Sequence, residues 1–107
     1  MKERRMFERF KVDLPVRFLC KETQKSGEGK LLDISAGGGG LLLTVTEIQI
    51  KNHLDMWIDL KDGRDPIYIT GLVVWIEETK ANVFRLGIKF DEIGFMKMWR
   101  ILDIIKK

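Results

Sequence analysis

From Val12 to Phe90 the chain alternates short apolar runs with turn residues, and within the runs apolar and polar side chains tend to alternate one for one. A period of two sends successive side chains to opposite faces of a strand, so this stretch must fold as a sheet with one buried face. In Val12–Cys20 the apolar set is Val12, Leu14, Val16, Phe18 and Cys20, against Lys11, Asp13, Pro15, Arg17 and Leu19. Pro15 has no N–H to give and is expected on a ladder-free edge or at a bulge. Residues 25–29 have a loop composition; Lys30–Ser35 and Leu41–Val45 read as strands joined by a tight, permissive turn through Gly37–Gly40. Asp55–Leu60 is a fourth strand. Ile67–Glu77 is a long fifth, with a bend or bulge expected at Gly71. Val83–Phe90 is the sixth, with Phe84, Leu86, Ile88 and Phe90 on one face. Residues 46–54 show no pattern.

After Phe90 the period changes. Phe95, Met98, Trp99, Leu102 and Ile105 recur at helical spacing, Asp91 is placed to cap the first turn, and Lys106 and Lys107 suit the negative end of a helix dipole. The predicted fold is therefore mainly β: a small six-stranded antiparallel β-barrel with a C-terminal α-helix. A chain of 107 residues makes one domain. Its expected parts are an N-terminal arm (1–11), the barrel (12–90) and the helix (91–107).

The inventory of reactive groups is short: one Cys, one His and one Tyr. Cys20 has no second Cys for a disulfide or a zinc site and reads as a small core residue. His53 has no orienting partner or nucleophile in the sequence pattern and reads as structural. Neither an enzyme nor a metal or cofactor is expected. No apolar run approaches the roughly 20 residues that cross a bilayer, and no apolar segment follows the N-terminal arginines, so a cytoplasmic protein without a membrane span is expected. The formal net charge is +3, all of it in the first eleven residues, where Lys2, Arg4, Arg5, Arg9 and Lys11 face only Glu3 and Glu8. Beyond them cations and carboxylates are equal in number. A neutral barrel is a poor match to single-stranded nucleic acid, which selects a basic, aromatic face, and no DNA partner is expected. Trp99 fits the helix's packing side, whereas Trp57 falls on the polar side of its strand and is the best-placed residue for contact with a partner protein.

Two short constellations carry chemistry. The first is Arg5-Met6-Phe7-Glu8-Arg9, with Arg4 just ahead. A guanidinium presents a planar fork of donors that matches phosphate oxygens and the O6/N7 edge of guanine, and its face stacks on a purine. The same residues also read as a solvated basic arm paired loosely with Glu3 and Glu8. The second is Asp33-Ile34-Ser35-Ala36-Gly37-Gly38. On a strand Asp33 and Ser35 share a side, and Ile34 enters the core. A carboxylate there can accept two N–H donors from a guanine edge, a hydroxyl can donate to a phosphate, and the glycines let a ligand approach the backbone. An ordinary hairpin would use the same residues as turn-formers. No Gly-Lys-Ser/Thr follows the glycines, which excludes a P-loop, and a strand rather than a helix follows them, which excludes a dinucleotide-binding βα turn.

With both motifs in order, about 24 residues apart, the chain resembles the PilZ domain family, bacterial receptor modules for cyclic di-GMP. Gly71-Leu72-Val73-Val74-Trp75 resembles the family's penultimate strand, and Leu86-Gly87-Ile88-Lys89-Phe90 its closing strand. The resemblance implies a split barrel and a non-catalytic second-messenger receptor. Arg5 and Arg9 would bind guanine edges and phosphates, Asp33 would read a guanine, Ser35 would approach a phosphate, and Gly38 would permit close packing, with Gly37 beside it in the ligand-binding set. Arg4 adds a guanidinium suited to a stacked pair of dinucleotides. The arm would order on binding and so change the surface shown to a downstream effector protein. The four-glycine run is expected to make its loop mobile. A PilZ-fold interaction module with weak or no nucleotide binding is the alternative, and a homodimer is left open.

Overall fold

A computed structural model describes residues 9–44 and 47–105. Six strands are followed by one helix: β1 (Phe10–Cys20), β2 (Ser26–Ile34), β3 (Gly38–Leu43), β4 (His53–Ile58), β5 (Ile67–Lys80), β6 (Val83–Phe90) and α1 (Phe95–Ile105). All pairings are antiparallel, and the strands close into a barrel in the order β1-β2-β3-β6-β5-β4. Closure removes free edges and encloses one apolar core. The alternation in β1 appears as expected, with Leu14, Val16, Phe18 and Cys20 buried. Leu31, Ile34, Leu41, Leu43, Leu54, Met56, Ile58, Val73, Leu86 and Ile88 complete most of the interior.

Several local expectations change. Residues 26–29 are not loop but the start of β2, because a tight turn through Lys21–Thr23, with Gln24 at a φ of 61°, reverses the chain earlier. Gly38, Gly39 and Gly40 belong to β3 instead of a turn; all three are buried and paired with β6, Gly39 and Gly40 are paired also with β2, and none has positive φ. The expected mobile loop is thus a ladder strand, and its glycines serve close packing. The turn is confined to residues 35–37. Gly71 pairs regularly with Leu54 and Phe90, so the irregularities in β5 lie further on, between Val73 and Trp75 and between Glu78 and Lys80. Pro15 sits one residue outside the β1–β4 ladder, which begins at Val16, and next to the register shift between Lys11 and Leu14. Pro15 thus stands at the end of the β4 ladder with Lys30 of β2 opposite it, and the register shift falls ahead of it.

Asp91 does not cap the helix. Its carboxylate accepts from the Thr70 hydroxyl at 2.5 Å, and its N–H donates to the Thr70 carbonyl, which leaves α1 to begin at Phe95. The helix buries Ile101, with Met98, Leu102, Ile104 and Ile105 half-buried beside it. Trp99 is turned away and 58% exposed, its ring stacked on Phe95, itself 80% exposed. The helix is apolar on most sides, so periodicity alone did not select the face that docks. Arg100 fixes the docking: its guanidinium grips Asp62 in the β4–β5 loop at 3.0–3.2 Å and the Asp65 carbonyl at 2.9 Å. Lys106 and Lys107 lie outside the described residues.

Candidate functional site

The second motif lies on β2 and the turn that follows it. Opposite β3, Leu31 pairs with Leu41 and Asp33 pairs with Gly40, so Leu32 is an extra residue in β2. Such a bulge re-aims the side chains around it. Ile34 points inward and is fully buried, whereas Asp33 lies outward and rests across Gly40. A Cβ on Gly40 would stand 2.9 Å from the Asp33 carboxylate, which shows how closely the two fit. Ser35 is buried; its N–H and its hydroxyl both donate to the Gly38 carbonyl, at 2.8 and 3.3 Å. Gly38 permits this hairpin to sit against β6, since a Cβ there would meet the Ile88 carbonyl oxygen at 2.0 Å.

Arg9, the last residue of the first motif, reaches this point. Its Nη1 donates to Asp33 Oδ1 at 2.5 Å, although the two residues are 24 apart in sequence. The register explains the meeting: Lys11 pairs with Asp33 at the start of β1, so the residue ahead of β1 emerges beside the carboxylate. Arg85 approaches from β6, 3.8 Å from Asp33 Oδ2, and its buried Nε has no hydrogen-bond partner among the described residues. Asp33 therefore stands between two guanidiniums. A pocket of about 360 Å³ opens beside them, lined by Arg9, Ser35, Gly37, Gly38, Val74 and Lys89 among others. That volume falls in the range of roughly 300–1,000 Å³ common for small-molecule sites. Of the residues singled out in the sequence, Arg9, Asp33, Ser35, Gly37 and Gly38 are brought together; Arg4 and Arg5 lie outside the described residues.

Sequence reasoning missed a row of close-packed glycines beside the pocket. The outer face carries a continuous row in which Asp33 pairs with Gly40, Gly40 with Gly87, and Gly87 with Trp75. The Trp75 indole lies across Gly87 so closely that a Cβ would stand 2.1 Å from its Nε1. The two glycines are covered in this way, Gly40 by a carboxylate and Gly87 by an indole. Gly87 between alternating apolar residues was the available signal, because an interior strand glycine often marks close approach.

The other residues weighed in the sequence lie elsewhere. Cys20 is buried, with its thiol 3.4 Å from Asn52 Oδ1. His53 is exposed at the start of β4, where its Nδ1 lies 2.6 Å from Glu22 and its N–H donates to the same carboxylate at 2.8 Å. These bonds, the ring's first, hold the Glu22 pKa at about 2. Trp57 is partly exposed on the β4 outer face, its ring 5.3 Å from that of Tyr68. Among the described residues, no cluster of three or more His, Cys, Asp or Glu could hold a metal ion, and no helix is long and apolar enough to cross a membrane.

Fold and site together define a small closed-barrel module in which an arginine ahead of the first strand pairs with a carboxylate on the second. The chain belongs to the PilZ domain family, whose sequence profile matches residues 3–100. Solved structures agree on the fold. The PilZ domain of YcgR from Escherichia coli, solved with c-di-GMP, is similar at 18% identity and a TM-score of 0.75, covering 96% of this chain and 92% of that one. The Bacillus subtilis inhibitor of motility MotI/DgrA matches at 20% identity and a TM-score of 0.75 over 96% of this chain, which spans only 49% of that protein's length. The PilZ domain of CeSA from a cellulose-synthesizing bacterium matches at 12% identity and a TM-score of 0.69, over 92% of this chain and 95% of that one. No curated protein sequence matches the chain significantly.

Proposed function

We propose that this chain is a non-catalytic bacterial receptor for cyclic di-GMP that relays binding through its N-terminal arm to an effector protein. The observation that carries the reading is the Arg9–Asp33 contact at the mouth of a pocket lined by Ser35, Gly37 and Gly38. Cyclic di-GMP offers two phosphate charges and two guanine edges. In this reading Asp33 accepts the paired N–H donors of one guanine and Arg9 takes a phosphate or the O6/N7 edge of the other. Ser35 turns its hydroxyl from the Gly38 carbonyl to a phosphate oxygen, and Arg4 and Arg5 add guanidiniums from the arm. The YcgR domain, solved with c-di-GMP, supports the ligand class.

Binding must exchange the existing ion pair for ligand contacts. Fixing backbone costs about 1–2 kcal/mol per residue, and hydrogen bonds to charged groups return roughly 1.5–3 kcal/mol each. Several simultaneous contacts are therefore needed to hold the arm, which makes its ordering dependent on ligand. Isothermal calorimetry tests this. The parent chain should bind cyclic di-GMP at micromolar protein, and Arg9→Ala and Asp33→Ala should each weaken binding about tenfold, the loss of one charge-assisted contact. No heat with the parent chain overturns the reading.

A further inference from the structure

The fifth strand contributes two consecutive outward residues where regular pleating allows one. Val73 pairs with Ile88 and Trp75 with Gly87, so β5 spends two steps where β6 spends one, and Val74 is the residue in excess. Exposure follows this geometry: Val73 is fully buried, Val74 is 42% exposed and Trp75 is 37% exposed. A bulge beside a functional site is a recurrent device for re-aiming a side chain. Here it leaves Val74 lining the pocket together with Arg9 and Ser35.

Lys89 stands beside it. Its Cα pairs with Gly38 in β3 and with Leu72 in β5, and it points outward because Ile88 and Phe90 on either side point in. Gly38 presents no side chain to obstruct it. Arg9 and Arg85 both face the Asp33 carboxylate, so their charge is partly neutralised. Lys89 makes no ion pair among the described residues. A dianionic ligand therefore meets a cation at Lys89 without having to break an existing contact.

We infer that Val74 and Lys89, which belong to neither motif, form a second wall of the ligand site: Val74 supplies the apolar contact for a base and Lys89 a phosphate charge. This rests on the cyclic di-GMP reading above. The two groups separate by their physics. Loss of two methyl groups from a dry contact weakens binding by about three- to tenfold and is insensitive to salt. Loss of an exposed charge weakens binding most at low salt and little at high salt.

The experiment is calorimetric titration of the parent chain, Val74→Ser and Lys89→Gln with cyclic di-GMP at low and high salt. Melting temperatures accompany it, because both side chains are exposed enough for the variants to fold. Val74→Ser should bind about three- to tenfold more weakly at both salts. Lys89→Gln should show a similar loss that shrinks at high salt. Methyl resonances of Val74 should shift on titration of the parent chain. If the parent binds and both folded variants bind within twofold of it, with the Val74 methyls unmoved, the second wall is refuted while the receptor reading stands. If the parent does not bind, both fall together.

Discussion

Replacing Gly87 with alanine puts a methyl group where the Trp75 indole already lies. The added Cβ would be 2.1 Å from Nε1 and 2.4 and 2.6 Å from two ring carbons, whereas ordinary contact begins near 3.4 Å. The β6 backbone is held on both sides, by Gly40 and by Trp75, so the ring must move. Trp75 is already 37% exposed, and it can swing outward into solvent without straining the barrel. Losing about 60 Å² of apolar contact at about 25 cal/mol per Å² costs about 1.5 kcal/mol. The change from Gly to Ala in a strand recovers roughly 0.5–1 kcal/mol of backbone entropy. A net loss of about 0.5–1 kcal/mol lowers the melting temperature of a domain this size by about 2–8 °C. Circular dichroism measures the melt, and tryptophan emission should shift to the red as the indole enters water. The decisive control is the same substitution in a Trp75→Ala background, where alanine at 87 should be neutral or stabilising. An equal loss in both backgrounds would falsify the claim that Gly87 exists to seat the indole.

Three further perturbations probe the frame around the site. Tyr68→Phe removes the hydroxyl that donates to Asp55 at 2.7 Å, leaving a buried carboxylate with Lys21 at 3.7 Å; a loss of about 1–2 kcal/mol in urea unfolding is expected. Arg100→Ala releases the clamp between α1 and the β4–β5 loop and should cost about 1–2 kcal/mol. Burial pushes the Asp62 carboxyl up, but the Arg64 amide and Arg100 outweigh it and hold the pKa below its ordinary value. Arg100→Ala should therefore raise it, which carboxyl NMR can follow. Glu22 is depressed to about 2 from 4.5, so its contribution to stability is present above pH 4.5 and is lost as pH falls toward 2. Glu22→Gln should flatten the melting temperature across that window, and a slope identical to the parent's would show that the His53 contact contributes nothing.

The strands and their faces were legible because burial on one side forces a period of two, as β1 shows from Leu14 to Phe18, where buried and exposed residues alternate. The meeting of Arg9 with Asp33 could be anticipated from two motifs but not from local pattern, since it depends on the register that places Lys11 opposite Asp33. What misled was glycine. Its turn propensity argued for a loop at Gly37–Gly40, yet closing so narrow a barrel brings β2, β3 and β6 together at a point where any Cβ would collide. Arg85, Lys89 and Val74 were invisible for a related reason: they reach the site through strand order and a bulge, neither of which leaves a local signature.

The two bulges are what make a one-sided site on a closed barrel. Leu32 in β2 and Val74 in β5 lie on the strands that flank the β3–β6 pair, and each is followed by the side chain that lies down over a glycine, Asp33 over Gly40 and Trp75 over Gly87. A one-residue slip would exchange the faces of a whole strand, so a chain with these extra residues must either bulge or bury them. Deleting Val74 tests this account. The deletion joins Val73, already opposite Ile88, directly to Trp75, already opposite Gly87, and so yields a regular ladder with every inward residue unchanged. The shortened protein should fold to within about 1 kcal/mol of the parent, the worth of a typical ladder hydrogen bond. Deleting Asp55 from β4, which pairs with β1 and β5 without a register shift, instead turns either Leu54 or both Met56 and Ile58 outward and should leave the chain unfolded. If both deletions unfold it alike, Val74 is part of the barrel's closure and not an insertion serving the pocket.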